Sequence, residues 1–161
     1  LGGWDGLFAW GNPPKEFLEK EIAPFPDWIV WHALISPKLE LRDSLVTPLG
    51  GGTYRLRVVV ENSGWLPTYV TKKAVEKKIV RGIICEVVLP RGATLESGKA
   101  RQEFGQLEGR AYKTAMPDEF DEGTTDRLKV EWVVKAPRGS TVKLTVRHER
   151  AGVVRVKFKL G

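Results

Sequence analysis

Few residues of this chain could carry out chemistry: two histidines, one cysteine and a cluster of carboxylates. A zinc hydrolase needs several protein ligands at short range and an open coordination position for water. His32 is followed by Ala-Leu-Ile and His148 by Glu-Arg-Ala, so neither begins a His-x-x-Glu motif. Cys85 lies in the apolar run Ile83–Leu89, which indicates a buried thiol rather than a nucleophile. The sequence therefore predicts no catalytic set, no metal and no cofactor in this chain.

An acidic segment, Pro117–Asp126, carries five carboxylates and raises the question of calcium. Calcium takes about six to eight oxygen ligands, and its helix-loop-helix site uses an Asp-x-Asp-x-Asp-Gly spacing. The segment lacks that spacing, so we expect a hydrated connection, with a calcium site as the alternative.

Basic residues alternate with apolar ones through the last part of the chain, in three segments separated by turns. Alternation with period two indicates strands, and the short turns predict an antiparallel meander with one apolar and one basic face. With a formal net charge of +6, the basic face would suit nucleic acid or an acidic wall polymer. Nucleic acid is disfavoured because no aromatic residue is interleaved for base stacking, and a merely solvated face is the alternative. The predicted basic face comprises Lys129, Lys143, Arg147, Arg155 and Lys157, extended by Arg127, Lys135 and Lys159.

Four aromatic residues fit no strand or helix period: Trp4, Phe8, Trp10 and Trp65. We expect them to form an interface with a neighbouring domain. The alternative is a flat aromatic platform for sugars, because an indole ring offers a large apolar face.

The elements that would position these residues fall into two parts. Residues 1–36 form an aromatic loop and a helical connector, with a helix over Glu16–Ile22 and another starting near Asp27, separated by prolines. Residues 37–161 form a β domain, because the periodicity changes to two after Pro37. About seven or eight strands with one apolar face each need a second sheet to cover them. The sequence therefore predicts a mainly β protein, an immunoglobulin-like antiparallel β-sandwich with an N-terminal loop and short helices; a closed barrel is the alternative.

Two passages resemble a known family. Gly2-Gly-Trp4 with Asn12-Pro-Pro-Lys-Glu-Phe-Leu-Glu19, and Glu61-Asn-Ser-Gly-Trp-Leu-Pro-Thr68, resemble segments of bacterial zinc-carboxypeptidase-like metallopeptidases. In those proteins the first passage lies just after the catalytic body and the second lies in a C-terminal β domain. The match covers about the first half of the chain, and the interruption by Pro24 and Pro26 departs from it.

The resemblance implies that the chain is a non-catalytic accessory domain of a metallocarboxypeptidase, with zinc held elsewhere in the parent enzyme. The start at Leu1, inside an aromatic and glycine-rich passage, agrees with a piece of a longer polypeptide. Its partner would be the catalytic domain. The accessory domain would stabilise that partner, or it would help to position peptide or cell-wall substrate near it. The alternative is an independent module that binds glycans or acidic polymers. No apolar run approaches the roughly 20 residues of a membrane span, and the compartment stays open between secreted, cell-envelope and cytoplasmic locations.

Overall fold

A computed structural model describes Gly3, Gly6, residues 11–113 and residues 125–161. The chain divides into two compact units, Leu1–Ile35 and Ser36–Gly161. The boundary lies one residue from the one expected from the change in periodicity.

Within residues 11–35, the first unit forms two short helices, α1 (Lys15–Ile22) and α2 (Phe25–Leu34). Proline sets both starts, because its fixed φ suits a first turn and its missing N–H is not needed there. Pro14 precedes α1 and accepts a hydrogen bond from the Phe17 amide at 2.9 Å. Pro24 precedes α2, which has Pro26 in its first turn. The two prolines that interrupt the helical pattern therefore separate two helices.

The second unit is built from eight strands in two antiparallel four-stranded sheets among the described residues. Sheet A has the order β1-β2-β6-β4, and sheet B has the order β5-β3-β7-β8. Two short helices, α3 (Lys72–Glu76) and α4 (Arg110–Lys113), lie in the connections. The strands are β1 (Leu39–Gly50), β2 (Thr53–Asn62), β3 (Ile84–Val88), β4 (Thr94–Ser97), β5 (Arg101–Glu103), β6 (Arg127–Lys135), β7 (Thr141–His148) and β8 (Gly152–Lys159).

The core lies between the two sheets and consists mainly of alternate residues of the longer strands. Trp132 of β6 is its largest fully buried side chain, and its indole N–H donates to the carbonyl of Lys99 at 3.0 Å. The prediction that Trp132 lies in the core is therefore confirmed. The other buried members on the long strands are Tyr54, Leu56, Val58, Val60, Cys85, Val87, Val130, Val134, Val142, Leu144, Val146, Val156 and Phe158.

The prediction of a mainly β, two-sheet sandwich with about seven or eight strands is confirmed. The strands form two separate sheets rather than one closed barrel.

The predicted three-strand meander is wrong. β7 and β8 do pair as neighbours, with Val142 opposite Phe158 and Val146 opposite Val154. β6 instead belongs to sheet A, where Trp132 lies opposite Leu56 of β2. The Pro137-Arg-Gly-Ser140 turn thus carries the chain from one sheet to the other. Periodicity reports which face of a strand is buried, and it does not report the strand's neighbour.

Candidate functional site

The outer face of sheet B carries a cluster of unpaired cations. Along β7 and β8 the buried residues alternate with exposed ones, so the charged side chains project away from the core. Four of them have no acidic partner within ion-pair distance among the described residues. We call these four residues, Lys143, Arg155, Lys157 and Lys159, the β7–β8 cation cluster.

The strand register sets two of these cations against each other. Lys143 of β7 lies directly opposite Lys157 of β8, and Arg155 and Lys159 flank Lys157 along the strand. Directly opposed side chains have Cβ atoms about 4.5–5.5 Å apart, and like charges in such pairs are destabilising. The fold therefore concentrates positive charge at this position at some expense of stability.

Arg147, also predicted for the basic face, has a different environment from the cluster. Glu86 of β3 accepts an ion pair from Arg147 at 3.3 Å and another from Arg101 at 3.3 Å. The Glu86 carboxylate thus offsets positive charge on the β3 side of sheet B. The cations on the β8 side have no such carboxylate beside them among the described residues.

Lys129 lies on the other sheet, so the predicted single basic face is wrong in this part. Lys129 is opposite Val59 of β2, on the outer face of sheet A. Arg127 and Lys135 belong to the same strand, β6, and are likewise separated from the cluster. The outer face of sheet A is also mixed in charge, because Asp43 pairs with Arg57 at 3.0 Å. The cause of the error is the transfer of β6 to sheet A.

The Asn62–Thr68 turn, singled out by its sequence, is organised by one buried amide. Asn62 Oδ1 accepts from the amides of Lys38 at 2.9 Å and Gly64 at 3.1 Å. Its Nδ2 donates to the carbonyls of Leu66 at 2.8 Å and Glu108 at 3.1 Å. Asn62 is only 1% exposed, and every one of its partners is main chain. The asparagine therefore joins three separate segments and fixes the turn.

Close backbone packing completes the turn. A Cβ on Gly64 would lie 2.2 Å from the carbonyl oxygen of Ser36, and one on Gly109 would lie 2.2 Å from that of Trp65. Gly109 thus allows α4 to approach the turn, where the amide of Ala111 donates to the Trp65 carbonyl at 3.0 Å. The turn needs glycine at both positions because other residues would collide with main chain.

Trp65 projects from this rigid turn with 43% of its surface exposed. Charged residues of β1, β2, α4 and β6 surround it in a shallow groove. Within the groove, Glu61 accepts ion pairs from Arg127 at 3.3 Å and from Arg42 at 3.6 Å. The groove is lined by Arg42, Glu61, Asn62, Ser63, Trp65, Arg110, Asp126 and Arg127. Trp65 is therefore presented to solvent, as a residue that contacts a partner must be. The other three predicted interface residues, Trp4, Phe8 and Trp10, lie outside the described residues.

The helices of the first unit expose an extensive apolar surface. None of the residues of α1 or α2 is buried. In α2, Trp28 is 58% exposed and Trp31 is 54% exposed. His32 contacts both rings, and its Nδ1–H donates to the Trp28 carbonyl at 2.9 Å. The exposed large apolar residues of the two helices are Phe17, Leu18, Ile22, Phe25, Trp28, Ile29, Val30, Trp31 and Leu34.

Cys85 and His148, the two most reactive side chains of the second unit, are both buried and have structural roles. Burial raises the pKa of the Cys85 thiol to about 12, so the thiolate nucleophile is suppressed. His148 is buried, and its Nε2–H donates to the carbonyl of Arg81 at 3.0 Å. Its Nδ1 accepts from the amides of Arg150 and Ala151 at 3.2 and 3.3 Å. Burial lowers the pKa of His148, and these bonds require the neutral ring. The histidine therefore closes the β7–β8 turn.

The described ranges contain no group of three or more His, Cys, Asp or Glu side chains that could hold a metal ion. The calcium alternative for the acidic segment is left as a prediction, because residues 117–124 of that segment lie outside the described residues. None of the described helices is long and apolar enough to cross a bilayer.

Fold and site together define a two-sheet antiparallel β-sandwich domain with a basic edge on sheet B, preceded in the chain by two helices that expose apolar residues. Residues 38–159 match the family described as Domain of unknown function (DUF8731). The match spans well over half of the chain and includes all of the strands, so the chain belongs to this family. A comparison with curated proteins found no match.

Proposed function

We propose that this chain is a non-catalytic accessory domain that is held on a catalytic domain by α1 and α2. The observation that supports this proposal is the apolar character of α2. Its sequence, Phe-Pro-Asp-Trp-Ile-Val-Trp-His-Ala-Leu, is apolar on nearly every side, yet none of its residues is buried. A helix that is apolar all round is typical of a helix packed inside a protein.

The sandwich does not need these helices for its own core. The buried cluster runs from Leu39 to Leu160 and takes no residue from α1 or α2. Monomeric proteins rarely expose contiguous apolar patches larger than a few hundred Å². The exposed apolar residues of α2, with Phe17, Leu18 and Ile22 of α1, therefore favour a role in docking.

The resemblance to zinc-carboxypeptidase-like enzymes suggests which catalytic domain is docked. In that proposal the parent enzyme holds the zinc ion and releases C-terminal amino acids with metal-activated water. The sandwich stabilises the catalytic domain or helps to position peptide or cell-wall substrate. The exposed Trp65, on its rigid turn, is a second contact for the partner domain.

We also propose that the sandwich is of immunoglobulin-like type, and the strand order supports this. If β5 is set aside, the remaining strands can be lettered A to G in chain order. Sheet A then reads A-B-E-D and sheet B reads C-F-G, which is the constant-type immunoglobulin arrangement. β5 is an addition at the edge beside β3. Contacts between the amides of neighbouring strands, measured by NMR, test the immunoglobulin-like strand order. A β4 strand that pairs with β3, and not with β6, would contradict this order.

The natural polypeptide that contains this sequence tests the functional proposal. We expect a His-x-x-Glu motif and a later histidine before residue 1, and chelator-sensitive release of C-terminal amino acids by that polypeptide. The 161-residue chain with added zinc is the control, and we expect no hydrolysis from it. A natural polypeptide without such a catalytic domain would refute the proposal, as would hydrolysis by the control.

A further inference from the structure

We propose that the outer edge of β8 binds an extended acidic peptide, which adds to sheet B as a further strand. The proposal rests on the β7–β8 cation cluster and on the position of β8 at the end of its sheet. It is independent of the catalytic domain proposed above, because every residue that it uses lies in the sandwich.

The first step is the free edge. β8 is the last strand of sheet B, and among the described residues its strand pairing is with β7 alone. Sheet A lies near this edge through β1, whose Leu39 amide donates to the Ala151 carbonyl at 2.7 Å, one residue before β8 begins. An edge strand presents a row of unpaired N–H and C=O groups that can template another strand.

The second step identifies the residues of β8 whose main-chain N–H and C=O groups face the free edge. In an antiparallel ladder, alternate residues of a strand direct their N–H and C=O groups to opposite sides. The Leu160 amide donates to the Ser140 carbonyl at 2.8 Å, on the β7 side. By alternation, Phe158 and Val156 also bond to β7, while Lys159, Lys157 and Arg155 direct their main-chain groups to the free edge. The residues that offer backbone bonds are therefore the residues that carry the cations.

The third step is the spacing of charge. Alternate residues of a strand are separated by about 6.8 Å, since each residue rises about 3.4 Å. An incoming strand has the same repeat, so acidic side chains at every second position would each lie opposite one of Arg155, Lys157 and Lys159. Opposite charges in directly facing pairs are stabilising. Lys143 of β7 lies opposite Lys157 on the side away from the free edge. It adds to the attraction for an acidic peptide, although no peptide side chain would lie directly opposite it.

The charges also select against other occupants. A second copy of β8 would place Lys and Arg against Lys and Arg, which is unfavourable for directly facing pairs. A single-stranded nucleic acid would lack aromatic partners for its bases, because the exposed apolar residues of this face are Val88 and Val153. An acidic peptide satisfies both the main-chain groups and the cations. This mode is β-strand addition, in which backbone bonds give affinity and alternate side chains give specificity.

The test uses a fluorescein-labelled peptide, Gly-Glu-Thr-Glu-Thr-Glu-Gly, and the full 161-residue chain, with binding followed by fluorescence anisotropy. We expect saturable binding at 0.15 M salt that weakens as salt is raised, and no binding of the matched peptide with Gln in place of Glu. Lys157→Glu should weaken binding by about tenfold, equivalent to about 1.4 kcal/mol. Lys159→Glu is a second variant with the same expected direction, and circular dichroism checks that both are folded.

Lys129→Glu is the control, because it makes the same change in net charge on the outer face of sheet A. We expect less than about a twofold effect from it, since charges beyond the ~8 Å Debye length are screened. An equal loss in Lys129→Glu and Lys157→Glu would overturn the proposal, because it would mean that only net charge matters.

N-methylated peptides separate strand addition from simple charge attraction. We expect antiparallel addition, as in every strand pair of sheet B. In that orientation, methyl groups on the three Glu amides block the bonds to β8 and should abolish binding. Methyl groups on the two Thr amides point away from β8 and should leave binding within about twofold, because they remove no bond to the sheet. Equal binding of the two methylated peptides would overturn the proposal, as would the absence of binding by the unmodified peptide.

Discussion

Removal of the Asn62 side chain should be among the most damaging single changes to the sandwich. The Asn62→Ala variant loses four hydrogen bonds, to Lys38, Gly64, Leu66 and Glu108. A net contribution of about 1 kcal/mol for each bond gives about 4 kcal/mol in the free energy of unfolding. The loss is that large because the main-chain groups left behind are shielded from water by the turn.

The measurement is urea unfolding followed by tryptophan fluorescence, supported by thermal unfolding. A loss of about 4 kcal/mol corresponds to a decrease of roughly 10–15 °C in the midpoint for a domain of this size. Ser63→Ala is the matched control on the adjacent residue. Its hydroxyl makes a long bond of 3.4 Å to the Lys38 carbonyl and an exposed bond to the Glu40 carboxylate, so we expect less than about 0.5 kcal/mol. A cost below about 1 kcal/mol for Asn62→Ala would refute the assignment of this residue as the organiser of the turn.

Three further predictions concern Cys85, His148 and Gly82. The Cys85 thiol, with its pKa raised to about 12 by burial, should not react with a disulfide reagent at pH 8 until the domain unfolds; rapid reaction of the folded chain would contradict its burial. The free energy of unfolding should decrease as pH falls below 6.5, because burial lowers the pKa of His148 and the unfolded chain then binds the extra proton. That pH dependence should weaken in His148→Gln, as measured by urea unfolding at several pH values. Gly82→Ala should destabilise the domain by several kcal/mol, since its Cβ would lie within bonding distance of the Phe104 carbonyl oxygen; Gly105→Ala, with open space at its Cβ, is the control for the same unfolding measurement.

The alternation of apolar residues predicts most of the buried side chains, although Leu41 of β1, which is in step with the buried Leu39, is exposed. Val142, Leu144 and Val146 lie in the core as their spacing predicts. The partner of each strand was not predictable in the same way. A turn such as Pro137–Ser140 can reverse a strand within a sheet or carry it across to the other sheet, and both outcomes bury the same residues. Alternation therefore predicts that Lys129 points outward, but it does not predict the sheet to which Lys129 belongs.

Three local features have weak sequence signals. Thr71 caps the start of α3, since its hydroxyl accepts from the Ala74 amide at 3.3 Å, a capping pattern that the sequence contains. The role of Asn62 is harder to predict from the sequence. Its partners Lys38 and Glu108 lie far from the turn in the chain, and its bond to Leu66 depends on how the turn folds back. The pairing of Glu86 with Arg147 also depends on the register of β3 against β7, which alternation alone does not give.

The most direct test of the proposed role is amide hydrogen exchange of α2 in two settings. One is the 161-residue chain, and the other is the natural polypeptide that contains it. If α2 packs on a catalytic domain, the amides of residues 28–34 should exchange at least about tenfold more slowly in the natural polypeptide, because exchange then requires the helix to undock. Equal exchange rates in the two settings would contradict docking by these helices.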